Sequence, residues 1–298
     1  MSLDSVGTAL IRRHVGRQLA HLRDKAGLTQ EQAAQRLEKG RSTIIRMEDG
    51  ADNVRFRDID MKAMLDVYGA DPEEATIILA LAAETRNGKK KSWWHDYTEL
   101  PEWFGLYVVL EDSATRIREY ESELIPGLLQ TREYMETVIT TPAAGVTPEQ
   151  VQQRVQVRVE RQGVLTRPNP PRFEAVLNEA VICRPVGEPG LMIGQLEHLL
   201  EVGKRPNVSI RILPYAAGAH GGMTAGNSFM LLDFPNDPGG EPIEPPLAYV
   251  DTLTGAMYLN KHTEISAYER VWRDIDKKAL SAGRSKELIT SALEGFRQ

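Results

Sequence analysis

The sequence predicts a chain in two parts. The first is an all-α domain of five helices over residues 1–86. A linker follows at 87–92, and then an α+β domain, a mixed sheet with flanking helices, over 93–298. Three observations carry this. The length of 298 residues suits two domains. The first ninety residues show apolar positions at helical spacing, with start and stop signals between them. From Phe173 onward, short alternating segments interleave with helical ones, the rhythm of strands and helices sharing a core.

Each helix of the first part has a local cause. Leu10, Val15, Leu19 and Leu22 share one helical face, and the helix should end at Gly27, a residue free to take a left-handed cap. Thr29 is a good N-cap, and Gln32 completes a capping box for a short second helix from Gln30 to about Leu37. Ala33 and Ala34 on that helix let another approach closely. The chain turns at Glu38-Lys39-Gly40. A third helix runs from Arg41 to about Glu48 and stops at Asp49-Gly50. Asp58–Tyr68, closed by Gly69, reads as a fourth. Asp71-Pro72-Glu73-Glu74 opens a fifth with an N-cap, a first-turn proline and two acids suited to the helix dipole. Arg86-Asn87-Gly88-Lys89-Lys90-Lys91 has no apolar periodicity and reads as the linker.

Charge is distributed unevenly. The net charge is −6, yet residues 1–46 hold nine Lys/Arg and four Asp/Glu, a net of +5. The remainder holds 27 and 38, a net of −11. A basic end on an acidic body points to a polyanionic partner for that end. On the third helix, Ile44 and Met47 share the face that should pack inward. Arg41, Ser42, Ile45 and Arg46 lie on the other, since 41/45 and 42/46 are four apart. Arginine bonds the guanine edge bidentately in a major groove, and an apolar group touches a thymine methyl. Arg41 and Arg46 are therefore the candidate base or phosphate contacts, assisted by Ser42, Thr43 and Ile45, with Gln30 at a backbone phosphate.

Two short helices joined by a tight Gly-containing turn form a helix-turn-helix. The stretches Gly27–Ala34 and Arg41–Gly50 resemble the lambda-repressor/Cro-like (XRE-type) helix-turn-helix family, and the resemblance implies the same roles for the residues just named. Gly40 stands where that family often has serine, and Ile45 where it tends to have a small polar residue.

The second part opens with aromatics: Trp93, Trp94, Trp103, Phe104 and Tyr107. Leu106–Tyr120 reads as a helix, Arg132–Ile139 as another, and Pro148–Gln162 as a long polar one. Phe173–Leu177, Val208–Leu213, Phe229–Phe234, Leu247–Val250 and Gly255–Leu259 read as strands. Glu188–Val202, Glu264–Leu280 and Ser285–Phe296 read as helices. Pro235–Pro246, rich in Pro, Gly and acids, reads as a mobile loop. Trp93, Trp94 and Trp103 form either a seam in the core or a ligand or partner site, and His220 in the Gly218–Gly226 loop is placed with the latter reading.

Trp93-Trp94, Pro126–Thr131, Arg161-Gln162, Leu213–His220 and Tyr249-Val250-Asp251 resemble a family of antitoxin-like actinomycete transcription factors with a conserved C-terminal domain. The resemblance implies a transcriptional regulator with a small partner protein encoded nearby. The alternative is a DNA-tethered enzyme or scaffold. Against an enzyme, the six histidines make no metal-spaced pair, and Cys183 stands alone. The nucleophile elbow that would accompany His220-Gly221-Gly222 is absent. No catalytic residue, metal or cofactor is expected. No apolar run spans a bilayer and no signal peptide is evident, so the cytoplasm is the expected compartment. The expected partners are a pseudo-palindromic operator in double-stranded DNA, a second copy of the chain in a homodimer, and a partner protein or small effector at the C-terminal domain.

Overall fold

The computed structural model describes residues 3–51, 54–87, 102–141, 145, 147–236, 244–252 and 255–298. It divides into two compact units: residues 1–106 with 235–244, and residues 107–234 with 245–298.

The first unit is built from α1 (Leu3–Lys25), α2 (Gln30–Arg36), α3 (Arg41–Glu48), α4 (Asp58–Tyr68) and α5 (Pro72–Asn87). Gly27 takes the left-handed conformation expected after α1. The Thr29 hydroxyl accepts from the Gln32 amide at 3.2 Å, and the Thr29 amide donates to Gln32 Oε1 at 2.9 Å, closing the capping box of α2. Val15, Leu19 and Leu22 of α1 are buried with Ala33 and Ala34 of α2 and Ile44 and Met47 of α3. Met61, Met64, Leu65, Ile78, Leu81 and Ala82 extend this core. Contact between α1 and the end of α3 is very close. Gly50 has φ +62°, and a Cβ there would meet the backbone of Arg12 and Arg13. Only glycine combines that conformation with that clearance.

The second unit holds a six-stranded mixed sheet in the order β3-β2-β1-β4-β5-β6. Its strands are β1 (Arg116–Glu121), β2 (Arg172–Asn178), β3 (Val208–Leu213), β4 (Phe229–Asp233), β5 (Leu247–Thr252) and β6 (Gly255–Leu259). β1, β2 and β3 run parallel, while β4, β5 and β6 add antiparallel pairings. The helices are α6 (Glu102–Ser113), α7 (Arg132–Ile139), α8 (Pro148–Arg161), α9 (Glu179–Cys183), α10 (Pro189–Val202), α11 (Gly221–Ala225), α12 (His262–Lys278) and α13 (Ala282–Arg297). On one face of the sheet Tyr120, Val176, Phe229, Leu231 and Val250 pack with Trp272 and Ile275 of α12. The approach to α13 covers the β3 edge: the Leu280 amide donates to the Ile212 carbonyl, and the Ser285 hydroxyl accepts from the Ile212 amide at 2.9 Å. An exposed strand edge is a template for unwanted pairing, so the cover has a protective role.

One expected element is different. Leu106–Tyr120 is not a single helix: α6 ends at Ser113, and β1 begins at Arg116 as a strand in the interior of the sheet. The sequence Arg116-Ile-Arg-Glu-Tyr-Glu121 puts charged residues on both faces, so it lacks the apolar alternation that marks a strand. On the α12 side the structure accommodates this by pairing Arg118 with Asp233 and Glu269, at 3.0 and 2.6 Å. Residues 237–243, the middle of the expected mobile loop, lie outside the described residues. Glu244 at its end is 3% exposed, and its carboxylate accepts from Arg17 and meets His14 Nδ1 at 2.9 Å.

Candidate nucleic-acid interface

The geometry of α3 follows from three supports. Ile44 and Met47 anchor one side in the core. Behind the helix, Arg23 Nε donates to Glu48 Oε1 at 2.7 Å and Arg23 Nη2 to Glu48 Oε2 at 3.1 Å. Burial alone would lower the Arg23 pKa, but hydrogen bonding and attraction from Glu48 outweigh it and hold the guanidinium above its ordinary value. That bidentate pair fixes the last turn of α3 on α1. Lys39 and Arg57 together clamp Asp60 at 2.7 and 2.9 Å, tying the turn before α3 to α4. Their hydrogen bonds outweigh burial and keep the Asp60 carboxyl below its ordinary range.

What this scaffold leaves outward is a basic, polar surface. Arg41, Ser42 and Arg46 are exposed, and Thr43 and Ile45 are half-buried. Arg46 Nε donates to the Ser42 carbonyl at 3.1 Å, which lays the side chain along its own helix. Neither Arg41 nor Arg46 is ion-paired among the described residues, so both guanidinium groups remain available to an external anion. Gly40 provides the N-cap of α3 without a side-chain hydrogen bond. Gln30 is placed less simply. Its amide Nε2 donates to Glu48 Oε2 at 2.9 Å, so it stitches α2 to α3. One amide hydrogen of Nε2 is still left over for a phosphate.

Trp93 and Trp94 lie outside the described residues, as does most of the linker, and Trp103 falls in the first turn of α6. His220 is buried beside Tyr120, ring centroids 6.0 Å apart, and caps α11. Burial, together with the nearby Lys278 charge, lowers its pKa. The Gly218–Gly226 segment is not a loop throughout. It forms α11 against α12, and a Cβ on Gly222 would meet the Tyr120 ring at 2.5 Å. Cys183 is exposed.

A second polar site, which sequence reasoning missed, occupies the opposite face of the sheet from His220. Register places Glu119, Met230, Tyr249 and Tyr258 in one cross-strand row. Glu121 and Asp251 extend the same face by two residues along β1 and β5. Against this face lie Tyr107 and Glu111 of α6 and Arg158 and Arg161 of α8. Arg161 pairs with Glu111 at 2.6 Å and stacks over the Tyr107 ring at 5.2 Å. Tyr107 stacks in turn on Tyr249 at 4.2 Å. The signal was present in the sequence: Arg154, Arg158 and Arg161 recur at four and three residues along one helix stripe. Nothing in that spacing said that the stripe faces inward. Among the described residues no group of three or more His, Cys, Asp or Glu is placed to hold a metal ion, and no helix is long and apolar enough to cross a membrane.

Comparison with known families matches residues 14–76 to a helix-turn-helix domain, which includes α2 and α3. Residues 104–291, more than half of the chain, match a domain of unknown function, DUF5753. The chain belongs to the DUF5753 family. No curated protein and no solved structure matches it. The helix-turn-helix domain makes this DUF5753 protein a DNA-binding regulator. All six strands, and both polar faces of the sheet, lie inside the DUF5753 match.

Proposed function

We propose that the protein is a sequence-specific transcriptional regulator of the repressor-like, XRE-type class. It binds a pseudo-palindromic operator as a homodimer, each α3 entering one major groove, with half-sites roughly 34 Å apart. Arg41 and Arg46 contact base edges or phosphates, Ser42, Thr43 and Ile45 complete the reading face, and Gln30 meets a phosphate. The observation that carries this reading is the outward basic face of α3, two arginines without ion-pair partners among the described residues on a helix held rigidly from behind. The C-terminal unit, in this reading, receives the signal, a small effector or a small partner protein encoded nearby.

Fluorescence anisotropy of the full chain against DNA from upstream of its own gene tests it. Binding should resist scrambled competitor and weaken as salt rises, because phosphate neutralisation releases counterions. Equal affinity for operator and scrambled DNA at every salt concentration would sink the sequence-specific reading. Sedimentation of the complex checks the stoichiometry: one chain per operator rules out the homodimer.

A further inference from the structure

The two edges of the DUF5753 sheet are treated differently. At β3, Leu280 and Ser285 bond the backbone of Ile212 and close the edge. β6 is the other edge, with β5 its one strand neighbour. Along an antiparallel strand, alternate residues aim their N–H and C=O groups away from that neighbour. Part of the β6 backbone therefore faces outward. Ala256 and Met257, in the middle of the strand, bond to nothing beyond β5 among the described residues. Met257 is 40% exposed, unusual here for a large apolar side chain.

Proteins guard an open edge with a charge, a proline or a bulge. β6 has none of these. Its five residues, Gly255-Ala-Met-Tyr-Leu259, carry neither charge nor proline. Its pairing with β5 runs one to one, with no extra residue. The strand is instead complementary to itself. Two copies running antiparallel about a twofold axis at Met257 place Gly255 opposite Leu259 of the partner subunit. Ala256 then lies opposite Tyr258 of the partner subunit. A small side chain meets a large one on each face of the sheet, because Leu259 packs on the α12 side and Tyr258 lies beside Tyr249 on the other. Met257 meets its own copy, and no like charges oppose each other. The flanks agree in sign. Asp251 pairs with Ala256 at the start of β6, and Lys261 follows its end. Antiparallel association brings the acidic end of one strand to the basic end of the other. A contact between two copies about a twofold axis requires this self-complementarity; a strand from an unrelated protein does not.

We infer that β6 pairs with β6 of a second copy of this chain, joining two six-stranded sheets into one across a twofold axis at Met257. The inference names the surface that makes the homodimer, and it rests on the homodimer reading for its role at the operator.

Sedimentation equilibrium of the full chain, without DNA, tests it. The parent should be a dimer. Met257→Lys puts like charges directly opposite each other and should weaken self-association at least about tenfold. Met257→Glu should do the same. An equimolar mixture of the two variants should recover dimers, because opposite charges then meet at the axis. Near-ultraviolet circular dichroism like that of the parent confirms that both fold. Oxidative cross-linking gives a second readout, in a Cys183→Ser background. Directly opposite residues stand about 4.5–5.5 Å apart at Cα, within disulfide reach. Met257→Cys should therefore link two chains, and Gly255→Cys should not. A monomeric parent overturns the inference, and that is the result expected if a strand of another protein occupies this edge. Association unchanged in both charge variants, or a mixture no tighter than either variant alone, also overturns it. A dimer that survives both substitutions removes β6 but keeps the homodimer, whose own test is the number of chains on the operator.

Discussion

Two helices of this protein carry arginines in nearly the same density and use them in opposite ways. On α3, Arg41 and Arg46 stand in water on a helix whose other side is bolted to the core by Ile44, Met47 and the Arg23–Glu48 pair. On α8, Arg158 and Arg161 point into protein, where each guanidinium must be met by a buried oxygen. The difference teaches that position on the fold, not residue type, decides whether an arginine serves recognition or structure. A solvated arginine costs the fold nothing and is free for an anion. A buried one is a commitment that its partners share.

The comparison breaks first on DNA. Replacing Arg41 and Arg46 together by alanine should weaken operator binding roughly a hundredfold or more, at about 1–3 kcal/mol for each lost guanine contact. Stability should change by no more than about 0.5 kcal/mol, as for exposed sites generally. Anisotropy and a thermal melt on the same samples separate the two effects. If the pair loses stability instead of affinity, α3 is not the reading helix.

Arg161→Met should show the reverse. It strands Glu111, whose pKa burial already raises against the opposing pull of Arg161. Stranding one partner of a buried pair costs about 3–5 kcal/mol. Adding Glu111→Gln should restore much of that in denaturant unfolding, and an additive loss would show that the pair is not coupled.

A smaller effect concerns pH. Glu121 is raised from 4.5 to about 7, chiefly by burial, with Glu119, Asp251, Arg158 and Ser228 around it. A raised carboxyl contributes stability that is complete below its unfolded pKa and is lost as pH rises through about 7. At 1.36 kcal/mol per unit, the loss is on the order of 3 kcal/mol. Glu121→Gln removes this carboxyl while Glu119 stays in both proteins. The parent should therefore lose stability relative to this variant between pH 5 and pH 8, and parallel curves would refute the assignment.

The smallest is local. Thr29→Ala removes the hydroxyl of the α2 capping box and should lower stability by about 1 kcal/mol. It supports the frame behind α3 rather than its reading face, so operator specificity should persist in anisotropy.

The contrast also explains what the sequence made legible. The limits of α3 were readable because a turn, a glycine and a short-range apolar pair determine them within ten residues. Thr29 with Gln32, and Ile44 with Met47, are local facts. β1 was not readable, because Arg118 and Glu119 belong in a central strand only when Asp233, Glu269 and the α6 and α8 residues arrive from far along the chain. The inward polar face of the sheet was hidden for the same reason. Its carboxylates and guanidinium groups come from separate strands and helices, and none of their spacings distinguishes an inward stripe from a solvated one. Gln30 lay between the cases: its position at the start of α2 was legible, but its bond to Glu48 was not.

Glu244 has a consequence for how this protein evolves and can be recombined. The chain leaves its first unit at 106, returns at 235 and departs again at 244, so that unit is discontinuous along the gene. A fragment ending at 106 would lack the carboxylate that meets His14 and Arg17 in a buried position. No single cut yields two whole modules. Exchange of the DNA-binding part between relatives must carry the segment before β5 along with it, and its sequence should co-vary with α1 rather than with the strands on either side.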